Sequence, residues 1–433
     1  MTVPLSSFTF ARVHKLFLKK DMVFLFLSIS IQLILGILFG HLYDIRLFMA
    51  TGYLVGTGQN PYISQDLSAL FHNLSFQNLT TIGYPPPWAL MLGLIYRVTY
   101  SIIPNFLFYN LAIKLPVIAA NIGLAYTVAG VLRRLGSDTL VVHKAWKFML
   151  FNPFLLYATV AWGQFDSIVA LLALSALILL DSGKIKVSAI LLALAISFKP
   201  TALPLILVPY FYLQNKSIRQ VFSYYGFLFF GGLLFCVVPF IIFNWDPSPI
   251  FQNWNAHFTV GGGMAFMAYL ELITDSYQLG GSWWFLGLLW VPALGATAYL
   301  LRHGIIGFKD LLKKSTALIL VFFLTRAWLS EPNIVLVLPF ILILTSIGEF
   351  DRLTLTAIWI LPFIFSFFNT ATAQLFFPSM PAVMDKLLKL AEDHRTLRLI
   401  AKLVIVIPWQ ITGWFVFIRS FKKVHAPSVS IIP

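Results

Sequence analysis

Met22-Val23-Phe24-Leu25-Phe26-Leu27-Ser28-Ile29-Ser30-Ile31-Gln32-Leu33-Ile34-Leu35-Gly36-Ile37-Leu38-Phe39-Gly40 is an apolar run of membrane length. It decides the fold, because a run this long without a charge is read as a bilayer span. No small-residue cleavage site follows it, so it reads as a retained signal anchor. Tyr43-Asp44-Ile45-Arg46 comes next, then Gly58-Gln59-Asn60-Pro61-Tyr62 and Tyr84-Pro85-Pro86-Pro87-Trp88. A carboxylate just past a span, followed by a rigid, aromatic, proline-rich loop, points to chemistry at the face of the bilayer.

Working outward, the same kind of run recurs to the end of the chain. Of the 433 residues 59% are hydrophobic and 11% charged, with mean hydropathy +0.86. Soluble domains carry about 25% charged residues. The expected class is therefore an all-α polytopic membrane protein. Runs at 22–41, 105–131, 143–161, 166–182, 187–213, 219–243, 283–302, 315–330, 333–349, 354–370 and 399–419 give about twelve spans when half-spans are counted. Lys199-Pro200 breaks the 187–213 run into two half-helices, since proline breaks a helix interior. Residues 85–101 read as a surface helix started by the three prolines, and 371–398 as a stretch holding an amphipathic surface helix.

The formal net charge of +14 invites a nucleic-acid reading. Its distribution rejects that partner. Arg12, Lys15, Lys19 and Lys20 precede the first run, which places the N-terminus in the cytoplasm. Alternate threading then puts twenty of the thirty Lys and Arg on the inner side with six of the sixteen acids, and ten of each on the outer side. The inner face alone carries the whole excess, and both termini are expected inside. The outer segments are 42–104, 244–282 and 371–398. Cys236 is the only cysteine, which excludes an internal disulfide and a thiolate metal cluster. No Gly-rich phosphate loop, metal-ligand spacing or nucleophile triad is visible.

Charged groups at membrane depth cost at least about 2.5–3.5 kcal/mol each on insertion scales, so each needs a reason. Asp44, Lys114, Gln164 with Asp166, Lys199, Arg326 and Glu331 all fall at outer ends of runs, on five separate segments. Each has a structural alternative. Asp44 is a loop carboxylate or a cap; Lys114 snorkels to headgroups; Asp166-Ser167 caps the next helix; Arg326 and Glu331 form an ion pair; His257 is a plain loop histidine. Lys199 before Pro200 is hardest to dismiss, because proline also frees backbone carbonyls there.

These segments, in order, resemble a family. Asp44, Gly58-Gln59-Asn60-Pro61-Tyr62, Tyr84-Pro85-Pro86, Lys114-Leu115-Pro116, Asn152-Pro153, Trp162-Gly163-Gln164-Phe165-Asp166-Ser167 and Lys199-Pro200 are similar to the integral-membrane GT-C glycosyltransferases that use polyprenyl-phosphate sugars. The likeness covers residues 41–213. It is nearest to bacterial and archaeal members with a Trp-Gly-Gln-x-Asp-Ser motif and more distant from the first mannosyltransferase of GPI-anchor synthesis. Leu42 stands where many relatives have the first Asp of an Asp-x-Asp pair, and Asn121 where they often have an Asp.

The resemblance implies a catalytic module over 1–243 and a variable module over 244–433, within one membrane domain. It implies transfer of a hexose, mannose by family frequency, from a polyprenyl-phosphate carrier to a glycolipid, glycan or protein acceptor. The site would face the extracytoplasmic or lumenal side, in the plasma membrane of a prokaryote or the endoplasmic reticulum membrane of a eukaryote. Asp44 is expected as general base, Lys199, Lys114, Arg326 and Arg46 as partners of the donor phosphate, and Tyr62, Tyr84, Trp88, Gln164, Asp166, His257 and Glu331 as substrate contacts. No cofactor is expected, and with Leu42 in place of the first acid a divalent metal is not favoured. A transporter or lipid flippase is the alternative, and a non-catalytic subunit a third; transporters, however, gather such charges near the midplane.

Overall fold

The computed structural model describes residues 19–77, 79–251, 259–274, 276–279 and 281–422. Among them nearly all regular structure is helical. The exception is a parallel pair of two-residue strands, Gly262–Gly263 with Trp328–Leu329. Among the described residues four helices are long and apolar enough to cross a membrane: Asp21–Leu38, Phe106–Arg134, Ile218–Ile242 and Arg395–Arg419. A fifth candidate is a broken one, in which Thr139–Ala161 meets Asp166–Asp181 at a 115° bend. Ile185–Phe198, Pro200–Leu213, Trp284–Leu300, Glu331–Ser346 and Arg352–Phe368 are apolar helices of shorter length.

Helix α1 (Lys19–Leu38) ends two residues before Gly40, and His41 opens α2 (Leu42–Gly56). The segment after Asp44 therefore differs from the loop expected there. Ile45, Phe48, Met49 and Gly52 recur at helical spacing and are buried, so Asp44 sits in the first turn of a helix. Carboxylates suit that position, where unpaired backbone N–H groups and the helix dipole favour negative charge. Along α2 packs α3 (Pro86–Val98), which starts on the proline run as expected. Pro86 and Pro87 occupy its first turn, where a missing N–H costs nothing.

Helix α4 (Phe106–Arg134) is the most buried of the span-length helices. Next come α5 (Thr139–Phe151), a π-helical turn at Leu156–Ala161 and α6 (Asp166–Asp181). Gly163 makes the bend between them possible. Its φ is +99°, and a Cβ there would lie 2.6 Å from Ile45 Cδ1 of α2. Only glycine takes both the conformation and the close approach without strain.

Helix α7 (Ile185–Phe198) stops at Lys199, whose ψ of 124° is extended, as the residue before a proline prefers. The chain continues as a 3-10 segment, Pro200–Leu207, so the break falls where the sequence places it. Helix α8 (Ile218–Gly232) runs on through a π-helical turn, Leu233–Val237, to Ile242. The C-terminal half adds α9 (Trp290–Leu300), α10 (Gly307–Thr325), α11 (Leu338–Ser346), α12 (Arg352–Phe368), α13 (Pro381–Asp393) and α14 (Arg395–Arg419). Helix α13 is the amphipathic helix expected in 371–398: of its thirteen residues only Met384 is buried. One continuous core holds Trp88, Tyr109, Trp146, Phe154 and Phe165 from the first half with Leu329, Ile334, Phe340 and Trp409 from the second.

Candidate functional site

Asp44 is held by a turn that lies more than a hundred residues away in sequence. Trp162 Nε1–H donates to Asp44 Oδ2 at 2.6 Å. His41 Nδ1 lies 3.0 Å from the same oxygen. The His41 ring stacks on the Trp162 indole at 4.5 Å, and the His41 backbone N–H donates to the Trp162 carbonyl at 3.0 Å. Burial pushes the Asp44 carboxyl up. The hydrogen bond and charge of His41, with hydrogen bonds from Trp162 and Gln164, outweigh it and hold Asp44 below its ordinary value. Asp44 is thus an anion fixed in direction, with the solvent largely excluded.

The sign of that shift fixes a pH dependence. A carboxylate depressed in the folded state adds stability above its unfolded value of about 3.9, and the gain is lost as pH falls through the lower folded value. Trp162→Phe keeps the stack and removes one donor. A hydrogen bond to a charged group is worth about 1.5–3 kcal/mol, so the variant should melt well below wild type at pH 7, and the gap should close below about pH 4. Thermal melts across that range test this. A gap that does not change with pH would reduce Trp162 to a packing role.

A second cluster adjoins the first through Gln164. Lys199 Nζ donates to Asp166 Oδ2 at 2.8 Å and to Gln164 Oε1 at 3.2 Å. Both members of the ion pair are buried. The Lys199 ammonium also lies 5.6 Å from the Tyr84 ring and 5.4 Å from the Phe165 ring. The Tyr84 hydroxyl hydrogen-bonds with Gln164 and lies within the field of both Asp44 and Asp166; burial first, then those two charges, push it well above its ordinary value. It therefore stays protonated. Asp44, Gln164, Asp166, Lys199 and Tyr84 are brought together from four segments.

The expected aromatic contacts divide. Tyr84 is half-buried beside the charged cluster. Tyr62 and Trp88 are wholly buried and present no open ring face. The Tyr62 hydroxyl donates to the Tyr84 carbonyl at 3.0 Å, and the Trp88 ring stacks on Phe165 at 4.4 Å. Both brace the residues that carry the charge. His257 lies outside the described residues.

The four expected phosphate partners also separate. Lys114 is fully buried and donates to the Gly36 carbonyl at 3.1 Å and to the Phe39 carbonyl. Asn110 Nδ2 donates to Gly36, Ile37 and Phe39 carbonyls at 2.8–3.1 Å, so the two residues together cap the end of α1. Arg46 donates to the Leu42 carbonyl at 2.9 Å and to the Ser75 carbonyl, tying α2 to the segment beyond it. The structure commits Lys114 and Arg46 to backbone carbonyls and Lys199 to Asp166. The physical reason is the same in each case: a buried cation needs partners, and the fold supplies them internally. Arg326, half-buried at the end of α10, is different. Among the described residues its side chain makes no hydrogen bond or ion pair, and it rests beside the Phe322 ring at 4.9 Å.

Arg326 and Glu331 do not pair. Glu331 is buried and accepts from Asn369 Nδ2 at 2.8 Å. Burial raises its carboxyl, and Asn369 and the nearby charges of Lys402 and His41 only partly offset that. The charge of His41 thus acts on both Asp44 and Glu331. Neither His41 nor Asn369 was singled out from sequence, and Trp162 was read as part of the motif without a site role. The available signals were the three-residue spacing from His41 to Asp44 and the first position of the Trp-Gly-Gln motif. Asn121, at the position where relatives often carry an acid, donates to Gln32 Oε1 and Thr159 Oγ1, each at 2.9 Å, inside the core. Among the described residues no group of three His, Cys, Asp or Glu is arranged to hold a metal ion. The chain matches no protein-family model and no curated protein.

Proposed function

We propose that the protein is a glycosyltransferase that moves a hexose from a polyprenyl-phosphate carrier to a glycolipid, glycan or protein acceptor. The observation that carries this reading is the junction of Asp44 with Trp162-Gly163-Gln164 and of Gln164 with Lys199 and Asp166. Residues scattered over 150 positions form one charged cluster at ends of helices, beside apolar surface from which a lipid carrier can arrive.

Asp44 accepts the proton of the acceptor hydroxyl, which attacks the anomeric carbon. The bond from that carbon to the phosphate oxygen breaks, and the polyprenyl phosphate leaves with its electron pair. One displacement inverts the anomeric centre. A positioned base of this type contributes about 10²–10⁴-fold. The leaving phosphate gains charge and needs a cation; of the four expected ones, Arg326 alone has no hydrogen-bond or ion-pair partner among the described residues, and we assign it that role. Tyr84 and Gln164 orient the sugar, with Glu331 and Asn369 as further substrate contacts. Leu42 leaves Asp44 without a paired acid, so a metal is not required in this scheme. Mannose is the favoured sugar by family frequency alone. The chain threads about twelve times with both termini cytoplasmic, so the cluster faces the extracytoplasmic or lumenal side.

Incubating the purified protein with polyprenyl-phosphate mannose, polyprenyl-phosphate glucose and candidate acceptors, then weighing products by mass spectrometry, tests the reading. Vectorial movement of the intact carrier with no transfer would replace it with a flippase. Arg326→Gln should raise the donor KM about tenfold to a hundredfold, the worth of a charge-assisted hydrogen bond of about 1.5–3 kcal/mol, with the acceptor KM little changed. Unchanged donor kinetics would remove Arg326 from the phosphate site.

A further inference from the structure

A cavity of about 460 Å³ lies between α7, the Pro200–Leu207 segment and α8. Its size falls within the roughly 300–1,000 Å³ of small-ligand sites. Ser197, Leu203, Ile206, Tyr225, Gly232 and Cys236 are among the residues that line it. Its few polar groups are already engaged: Tyr225 Oη–H donates to the Ile206 carbonyl at 2.7 Å, and Cys236 S–H to Ser197 Oγ at 3.1 Å. What remains toward the cavity is hydrocarbon. None of Asp44, Tyr84, Gln164, Asp166 and Lys199 lines it, although Ser197 and Leu203 flank the Lys199–Pro200 break.

Two adjacent glycines explain why the space exists. A Cβ on Gly231 would lie 2.7 Å from Ala193 Cβ, so Gly231 lets α8 pack closely on α7. A Cβ on Gly232 would meet nothing within 4 Å. The π-helical turn at Leu233–Val237 begins at the next residue, and such turns recur at functional positions. The wall itself, Ile218–Ile242, is the least buried of the four span-length helices, with Phe229 69% exposed and Leu233 39% exposed at the cavity. An apolar hollow in an exposed apolar wall is open to the bilayer.

We propose that this cavity seats one acyl chain of a bilayer phospholipid, which braces α7 against α8 beside the Lys199–Pro200 break. Length selects the occupant. The lining of α8 runs from Tyr225 to Cys236, a rise of about 16 Å at about 1.5 Å per residue. That is close to one leaflet's half of a hydrocarbon core of about 30 Å, the reach of an acyl chain rather than of a long polyisoprenoid. The assignment is independent of the proposed transfer reaction.

Cys236 is the only cysteine, so its alkylation reports on the cavity without engineering. In detergent stripped of lipid, a membrane-permeant maleimide should modify Cys236. Adding phosphatidylcholine with sixteen-carbon or eighteen-carbon chains at about ten times its dissociation constant should slow the reaction on the order of tenfold and raise the melting temperature. Gly232→Leu fills open space, so it should fold, lose the lipid-dependent rise in melting temperature and retain less co-purified phospholipid by native mass spectrometry. Equal phospholipid retention in wild type and Gly232→Leu would overturn the proposal. So would equal alkylation with and without phospholipid, or stronger protection by polyprenyl phosphate at the same mole fraction.

Discussion

Asp44→Asn should lower sugar transfer by about 10²–10⁴-fold while leaving the protein folded and the donor KM near wild type. The amide keeps the size of the side chain, and its oxygen can still accept from Trp162 Nε1, now 2.6 Å from Asp44 Oδ2. What it loses is basicity and charge. Size-exclusion chromatography and donor titration separate the chemical loss from misfolding. Near-full activity would move the base elsewhere. The other acids in reach are poor substitutes: Asp66 is exposed and bonded to the Ser68 N–H, and Asp166 is neutralised by Lys199. Glu331 would then be next to test. EDTA should have little effect on the wild type. If EDTA abolished turnover and Mn²⁺ or Mg²⁺ restored it, Asp44 would be a metal ligand and not the base.

Lys199→Gln should destabilise the protein by about 3–5 kcal/mol, the usual consequence of removing one partner of a buried ion pair. Asp166 has no exposed side-chain surface, and Lys199 is its cation at 2.8 Å, so the variant strands a buried carboxylate. Adding Asp166→Asn should recover most of the loss, because two neutral amides need no counter-charge. Denaturation or thermal melts of the single and double variants measure this. The double variant also decides what Lys199 does for the substrate. A wild-type donor KM in it would make Lys199 a brace for Gln164 and Tyr84; a much larger one would restore Lys199 to the phosphate site. A single variant as stable as wild type would show that Asp166 is protonated or wetted in the absence of lysine.

The parts of this architecture that were legible in advance rest on local chemistry. Proline sets its own φ and biases the residue before it, so the start of α3 and the break at Lys199 could be read from a few letters. Of the apolar runs expected to span, four or five are helices of span length among the described residues and the others are shorter, because bilayer thickness and helix rise convert into residue counts only where the helix is unbroken. The helix at Leu42–Gly56 was missed because Asp44 and Arg46 interrupt the apolar pattern at its start. Its buried face shows only once α3 and α4 lie against it. Tyr62 and Trp88 carry the same kind of ring as Tyr84, and nothing in a linear pattern says which of the three is covered.

Sequence by itself determined the proline-set start of α3 and the break at Lys199, the apolar runs that form the span-length helices, and that Gly163 sits in a turn between two apolar runs. Tertiary structure alone decided which charges are spent on the fold and which remain. Four cations were candidates on paper, Lys199 before Pro200 the strongest of them. Lys114 was taken by the carbonyls at the end of α1, about 75 residues upstream by the Phe39 contact. Arg46 was taken by the Leu42 and Ser75 carbonyls, Lys199 by Asp166, and Arg326 was left without a carboxylate among the described residues. The reason is the reach of the forces involved. Backbone stereochemistry and hydrophobic periodicity act over a turn or two and are written in consecutive residues. The partner of a buried charge is set by which helix ends meet in space, because desolvation makes the nearest acid or carbonyl worth more than any neighbour in sequence.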